Sequence, residues 1–582
     1  MENWDLTKLY PSFDSVEFKE AFEGFDVLIK KTNEFKQRFN EENAQTVITD
    51  FLVNEIEVTT VVRRLGAFIS LSMATNTTDP VSGKYMMQLR QKHTELTEVF
   101  TMWSEYLSKV ANIDEVLNSS EFLQEHAYDL KNIIKTNKFN LDKETETLLS
   151  ELSQSSGTLW TKMQGVLTST LEVEYKGEIL TLPEILNKQE ESDPEVRKSA
   201  YEAELLAYKK IEKAVAFSMN GIKGEVNTLS KKRGYSGALE RTLINSRLQE
   251  KTLTAMISAM KDYLPEFRKY LRRKGELLGS TTGLRWYDRN APIGKSSKEF
   301  TIPEAQNYII KNFSTFSPHL KEVAEKAFTG NWIDYRPYKG KRGGAFCANI
   351  PPIKESRILS NFTGTFGDVI TLSHELGHAY HGDNIFSESP LGSYTMPLAE
   401  TASTFCETIV LKAALKEAKG DELLSILESD LQGSTAVIVD ILSRFIFETN
   451  VFDSQKENFL DENKLKELMT DAQKQTYGDG MDPDYLNPYM WLWKPHYYST
   501  GLSFYNFPYA FGLLFAKGLY GVYQQEGEAF TSKYDDLLKA TIKMDVEDVA
   551  LLAGIDVTTK EFWTTSLEVI KEDIDLFLKL TK

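Results

Sequence analysis

The sequence predicts a mainly α-helical protein with a small β element near position 350. Apolar residues recur at three- and four-residue steps through most of the chain, with charges between them. Prolines number only 17 in 582 residues, so few breakers interrupt those stretches. Two short patches depart from the helical period. In order along the chain, the periodicity predicts helices over 18–39, 46–73, 83–110 and 143–167. Residues 171–182 (LEVEYKGEILTL) alternate apolar and polar about Lys176-Gly177, which predicts a β-hairpin. Ser192-Asp193-Pro194-Glu195 then offers a helix cap with proline at the first helical position, opening an amphipathic stretch to about 229. The second patch, 335–367, is glycine-rich. It holds two extended runs, 345–350 and 358–363, on either side of Pro351-Pro352. Helices resume near Asp368. The expected organisation is an N-terminal helical region over 1–190 that ends in the hairpin, followed by one domain over 191–582.

Composition narrows the function classes. Hydrophobic residues make up 41% and charged residues 26%, ordinary for a globular chain, which excludes a disordered or collagen-like protein. A net charge of −18 repels phosphate backbones, so nucleic acid is not an expected partner. The two cysteines, Cys347 and Cys406, lie far apart in sequence, a poor disulfide framework and one suited to a reducing compartment. The start, Met1-Glu2-Asn3-Trp4-Asp5, is acidic and carries no apolar leader. No apolar run reaches the roughly 18 uncharged residues of a spanning helix. The nearest, 505–523, is broken by Pro508, three glycines and Lys517. The expectation is a water-soluble cytoplasmic protein without membrane partners. The oligomeric state is not legible.

The residues that carry chemistry begin with His374-Glu375-Leu376-Gly377-His378, an H-E-x-x-H pattern in a predicted helix over 368–380. With seven histidines in the chain, chance matches number on the order of 0.01. Residues four apart share a helix face, so both imidazoles can reach one metal ion, and neutral imidazole suits Zn²⁺. Glu375 lies about 100° around the helix and is placed to accept a proton from water rather than to bind metal. A catalytic zinc site needs a third protein ligand. The extended H-E-x-x-H-x-x-G-x-x-H pattern is absent, because His381 and Asn384 stand at the required positions. A second helix, 397–407, supplies Glu400, which shares a face with Ser403 and Glu407. Ala402 and Ser403 are small enough to let that helix approach Gly377 closely. Glu407 is then a carboxylate able to hold the far nitrogen of a ligating histidine, with Asp368 a weaker option. His381 reads as a structural or gating residue.

These motifs resemble the thimet/neurolysin-type zinc oligopeptidases. The run over 364–373 leading into HELGHAYH and the E-x-x-S-x-x-x-E helix over 400–407 both fit that family. The segment Gly340-Lys341-Arg342-Gly343-Gly344-Ala345-Phe346, the hairpin, and His496 followed by 504–509 (FYNFPY) resemble its oligoendopeptidase F branch. The motif match covers roughly 340–512. The resemblance implies a two-lobed, largely helical zincin-type metallopeptidase around a deep substrate channel. It further implies one Zn²⁺ on the channel floor held by His374, His378 and Glu400, with Glu375 as general base. Short unfolded peptides would enter and be cut internally.

Two further segments extend this reading. Residues 491–511 hold nine aromatic residues, and the family takes a histidine and tyrosines from here to stabilise the oxyanion. His496, Tyr505 and Tyr509 are the candidates, and Tyr498 is an alternative. The glycine-rich loop at 477–483 before them is expected to move on substrate binding. The strand within 343–363 reads equally as a structural hairpin or as an edge on which an extended peptide adds a strand. Two rival functions remain. A zinc aminopeptidase or carboxypeptidase would share the first two motifs, although the G-A-M-E-N-like signature of one aminopeptidase class is absent. A non-catalytic peptide-binding protein would be expected to have lost Glu375 or a ligand, and none is lost.

Overall fold

The structure is a computed structural model describing residues 2–41, 43–294 and 299–582. Several of its helices begin where the chain supplies caps. Ser15 caps Val16–Arg38, Asn43 caps Ala44–Thr75, and Asp193 with Pro194 opens Pro194–Tyr208. Three predicted long helices divide. The 83–110 stretch is Pro80–Thr94 followed by Thr97–Lys109. The 143–167 stretch breaks between Lys143–Ser153 and Gly157–Ser169, where the hydroxyls and the backbone N–H groups of Ser155 and Ser156 all converge on the Leu152 carbonyl. The amphipathic stretch after Pro194 breaks at 209–211 before Glu212–Lys232. A bend that preserves the phase of the apolar stripe leaves no mark in periodicity.

The hairpin forms as predicted. β1 (Val173–Tyr175) pairs antiparallel with β2 (Glu178–Leu180), and Lys176 and Gly177 adopt positive φ in the turn. β3 (Ile333–Asp334), β4 (Phe346–Ile350) and β5 (Glu355–Leu359) form a second sheet in the order β3-β5-β4. The second extended run therefore begins and ends earlier than the sequence indicated, and β3, two residues long, adds a parallel neighbour that its pattern did not mark. β5 is central and almost fully buried, and β4 lies at the edge.

Among the described residues two large hydrophobic cores organise the chain, with a small third cluster at Leu411, Ala414 and Ile426. The smaller draws on residues 9–130 and on Ile350 at the end of β4. The larger runs from Leu171 to Phe577 and includes the hairpin residues Val173 and Tyr175. The sheet thus touches both cores. The N-terminal segment also binds along it, with Asp5 N–H donating to the Asn331 carbonyl and Arg357 to the Asp5 carbonyl. Immediately after the sheet comes Phe366–Ile385, here called the histidine helix, and after a short turn, Met396–Ala399, comes Thr401–Glu417, the glutamate helix. Among the described residues no helix is long and apolar enough to cross a membrane.

Candidate active site

The histidine helix starts from a reciprocal cap. Thr365 Oγ accepts the Asp368 N–H, while Asp368 Oδ2 accepts the N–H groups of Thr363, Gly364 and Thr365. Asp368 is consumed by this role. It is not the carboxylate that steadies a metal-binding histidine. The two long helices then meet at Gly377, where a Cβ would lie 2.6 Å from the Ala402 carbonyl oxygen and from Ser403 Cα. The predicted close approach of Ala402 and Ser403 to Gly377 is present, and only glycine permits it.

That contact brings three donor atoms together. His374 Nε2 lies 3.2 Å from His378 Nε2 and 3.2 Å from Glu400 Oε2, and His378 Nε2 lies 3.4 Å from Glu400 Oε2. Three ligands at about 2.0–2.1 Å from a zinc ion, at tetrahedral angles, stand about 3.3–3.4 Å apart. The triangle fits that ion with no rearrangement. Glu400 occupies the junction between Met396–Ala399 and the glutamate helix rather than a helix interior, and Ser403 Oγ donates to its Oε2 at 2.7 Å. A second glycine, Gly512 on the helix Phe507–Glu526, makes room for it, since a Cβ there would lie 2.9 Å from Glu400 Cβ.

The surrounding charges favour a cation. Burial alone would lower His374, but Glu400 and Glu407 outweigh it and lift the imidazole to about 10. Burial alone would raise Glu400, yet the two histidines hold it well below the usual carboxylate range. Glu407 Oε1 lies 2.7 Å from His374 Nδ1. An Nδ1–H donated there leaves Nε2 free to bind metal. Glu375 is 5% exposed, and burial, reinforced by Glu400 and Glu407 against the pull of the histidines, raises its carboxyl. It stands near enough to Cys347 on β4 that, after burial, its charge is the main influence lifting that thiol.

The aromatic segment contributes unequally. Tyr509 lines the same cavity as His374 and Glu400. Its hydroxyl donates to Tyr505 at 2.9 Å, and the Tyr505 ring lies 5.9 Å from His496. The three predicted residues thus form a connected row, of which Tyr509 reaches the cavity that holds His374 and Glu400. His496 is pushed down to about 3 by burial and by Arg444, Lys494 and Lys223, so it is neutral, and its buried Nε2 has no hydrogen-bond partner among the described residues. Tyr498 is fully buried and donates to the Trp491 carbonyl, which removes it as an alternative. His381 is fully buried against Tyr394, with Nε2 2.8 Å from Thr541 Oγ, a structural position. The loop at 477–483 is tied down. Met481 bridges Leu284, Asp482 accepts from Thr282 and Arg268 bonds the Thr476 carbonyl, so the expected mobile segment is anchored on both sides.

Sequence reasoning missed Asn349. Its side-chain amide donates to the His378 carbonyl at 3.0 Å and its oxygen accepts from Ser356, tying β4 to the histidine helix. Gly382 is needed beside it, because a Cβ would meet the amide at 2.3 Å. A polar residue in a near-apolar strand is a weak signal for such a tether. Gly512, lone within an apolar helical run, is a stronger one for a close approach.

A family model described as "Peptidase family M3" matches residues 188–569, and one described as "Oligopeptidase F" matches 110–172. Oligopeptidase PepF of Bacillus subtilis is 24% identical, over 99% of this chain and 86% of its own. Among solved structures, a putative peptidase from Chlamydophila abortus superposes with a TM-score of 0.85 at 20% identity, covering 100% of this chain and 98% of that one. Oligoendopeptidase-F from Enterococcus faecium gives 0.71 at 18% identity, covering 97% and 98%.

Proposed function

The chain belongs to peptidase family M3 and is a metalloendopeptidase of the oligopeptidase kind; from that premise we propose that it cuts internal bonds of short unfolded peptides with one zinc ion held by His374, His378 and Glu400. The observation that carries the assignment is the donor triangle of 3.2–3.4 Å edges, backed by the Glu407 contact to His374. When bound, zinc supplies a Lewis acid for the attacking water and the scissile carbonyl.

The protein groups do the rest. Glu375, raised by burial, takes a proton from the attacking water and returns it to the leaving amine. Tyr509, held as a neutral hydroxyl by burial and by Tyr505, is the donor for the oxyanion, its single O–H turning from Tyr505 toward the developing charge. Tyr505 and His496 stand behind it and orient it. The edge strand β4, between the N-terminal core and the histidine helix, is the proposed surface for an extended substrate backbone. The separate core over 9–130 supports an N-terminal region over 1–190 and a catalytic region over 191–582, although the hairpin packs with the second.

The test is mass spectrometry of a peptide mixture and one folded protein, with and without a chelator. Chelator-sensitive internal cuts in the peptides alone are expected. A ladder from one terminus would instead identify an exopeptidase. Glu375→Gln should bind one metal per chain and lose turnover by about 10²- to 10⁴-fold.

A further inference from the structure

The geometry points to a pocket for a basic substrate side chain, arginine or lysine, next to the bond that is cut, with Asp430 as its charged partner. This inference rests on the oligopeptidase reading above.

A cavity of about 820 Å³ opens beside the metal ligands His374 and Glu400. That volume lies within the range of sites that enclose small ligands, about 300–1,000 Å³. Its walls come from the histidine helix, the glutamate helix, Gly420–Thr435 and Phe507–Glu526. They carry an apolar lining that includes Ile370, Leu411, Ile426 and Leu513. Apart from the two ligands, the charged residues that line it among the described residues are carboxylates, namely Glu299, Glu407 and Asp430. No lysine or arginine lines it among the described residues. An apolar wall with carboxylates and no cation suits a side chain with an aliphatic stem and a positive tip.

The three carboxylates differ in what already satisfies them. Glu407 is engaged by His374. Asp430 has a buried Oδ2 without a hydrogen-bond partner among the described residues, and its Oδ1 stands 3.7 Å from Lys517 Nζ, beyond hydrogen-bond reach. Ser434 Oγ, on the next turn of the same helix and also lining the cavity, is likewise buried and unpartnered. Lys517 and Asp573 face Asp430, and Asp573 is bound through both oxygens by Lys412 at 2.7 Å. Those two lysines and two aspartates balance. Glu407 is paired with His374, so among the described residues the remaining excess at the cavity is the negative charge of Glu299. A carboxylate with incomplete hydrogen bonding in a half-buried position is a standing cost. A guanidinium, with five donors, can relieve it at Asp430 and Ser434 together.

The experiment uses one peptide series in which only the residues flanking the cut bond vary, through arginine, lysine, citrulline, norleucine and glutamate. In the metal-loaded native chain, arginine or lysine at one fixed position should exceed norleucine and citrulline in kcat/KM by at least about tenfold, with glutamate the poorest. Asp430→Asn should collapse the arginine-to-norleucine ratio toward one. Asp430→Asn with Lys517→Met removes both charges and serves if the single variant does not fold. Equal kcat/KM for arginine and norleucine overturns the pocket and leaves the oligopeptidase reading intact. Equilibrium binding to the Glu375→Gln chain, read by fluorescence polarisation, separates the two. Tighter binding of the arginine peptide by about tenfold supports the pocket even where no peptide is cut, and equal affinities overturn it.

Discussion

Replacing Glu407 by alanine isolates how the carboxylate behind His374 sets metal affinity. In the native chain Oε1 is 2.7 Å from His374 Nδ1, short for a contact between an imidazole and a carboxylate. The bond fixes the tautomer that presents Nε2 to the metal and raises the basicity of that nitrogen. Loss of such a partner generally weakens metal binding by about 10- to 100-fold, or roughly 1.4–2.7 kcal/mol. The Glu407 side chain is 32% exposed, so solvent screening places the expected loss nearer tenfold. Glu407→Gln keeps an oxygen that can accept the Nδ1 hydrogen while losing the charge, and should fall between the native chain and Glu407→Ala. The assay is a zinc titration against a competing chelator at constant pH, with the metal content of the separated protein measured directly. Circular dichroism establishes that each variant is folded. An affinity for Glu407→Ala equal to that of the native chain would refute the argument, because the imidazole would then be oriented by packing alone.

Gly377→Ala forces backbone against backbone at 2.6 Å, so the two long helices must separate. It should cost about 1–3 kcal/mol in thermal or denaturant unfolding and lower metal occupancy with it, and an unchanged Tm would contradict the fit. His319 lies between Asp383 and Asp535, and their hydrogen bonds outweigh burial and raise it to about 9. Because the folded value exceeds the unfolded one near 6.5, its stabilisation is complete below about pH 6.5 and is lost as pH rises through 9. His319→Gln should flatten that part of the unfolding-versus-pH curve, and an identical slope in native and variant chains would remove His319 as its source. Tyr509→Phe deletes the tyrosine hydroxyl on the cavity shared with His374 and Glu400 and should reduce kcat by about 10²- to 10³-fold with metal content unchanged. An unchanged kcat would pass the oxyanion role to another donor.

The catalytic helix and its ligands were legible because helical geometry turns a four-residue spacing into a shared face. His374, His378 and Glu375 needed nothing from the rest of the fold to be recognised. Glu400 and Glu407 were legible as a pair on a second helix near a run of small residues, although Glu400 proved to sit at a helix junction rather than inside a helix. The same sequence information could not separate Asp368, a cap, from Glu407, a histidine partner, since both are carboxylates at reachable distances. Only the hydrogen bonds distinguish them. The breaks at 95–96, 154–156 and 209–211 escaped because the apolar stripe continues across them. The row formed by Tyr509, Tyr505 and His496 was identified by residue type, but its order depends on how the turn Pro495–Tyr498 packs beside Phe507–Glu526. Tertiary packing sets that order and local pattern does not record it.

The donor triangle is assembled by contacts that are individually ordinary and collectively restrictive. Gly377 sets the distance between the histidine and glutamate helices, and Gly512 sets the distance from Glu400 to the tyrosine helix. Asn349 ties the carbonyl of His378 to β4, and Ser403 holds the Oε2 of Glu400. Gly512 and Ser403 act on Glu400, Asn349 acts on His378, and Gly377 sets the spacing of the two helices that carry all three donors. An error of 1 Å at any one would spoil a geometry whose edges span only 3.2–3.4 Å. None of the four touches the metal. Their loss should therefore appear first as weaker metal binding at preserved fold, whereas loss of Glu375 should appear as lost turnover at preserved metal. That separation of readouts distinguishes the groups that build the site from the group that uses it.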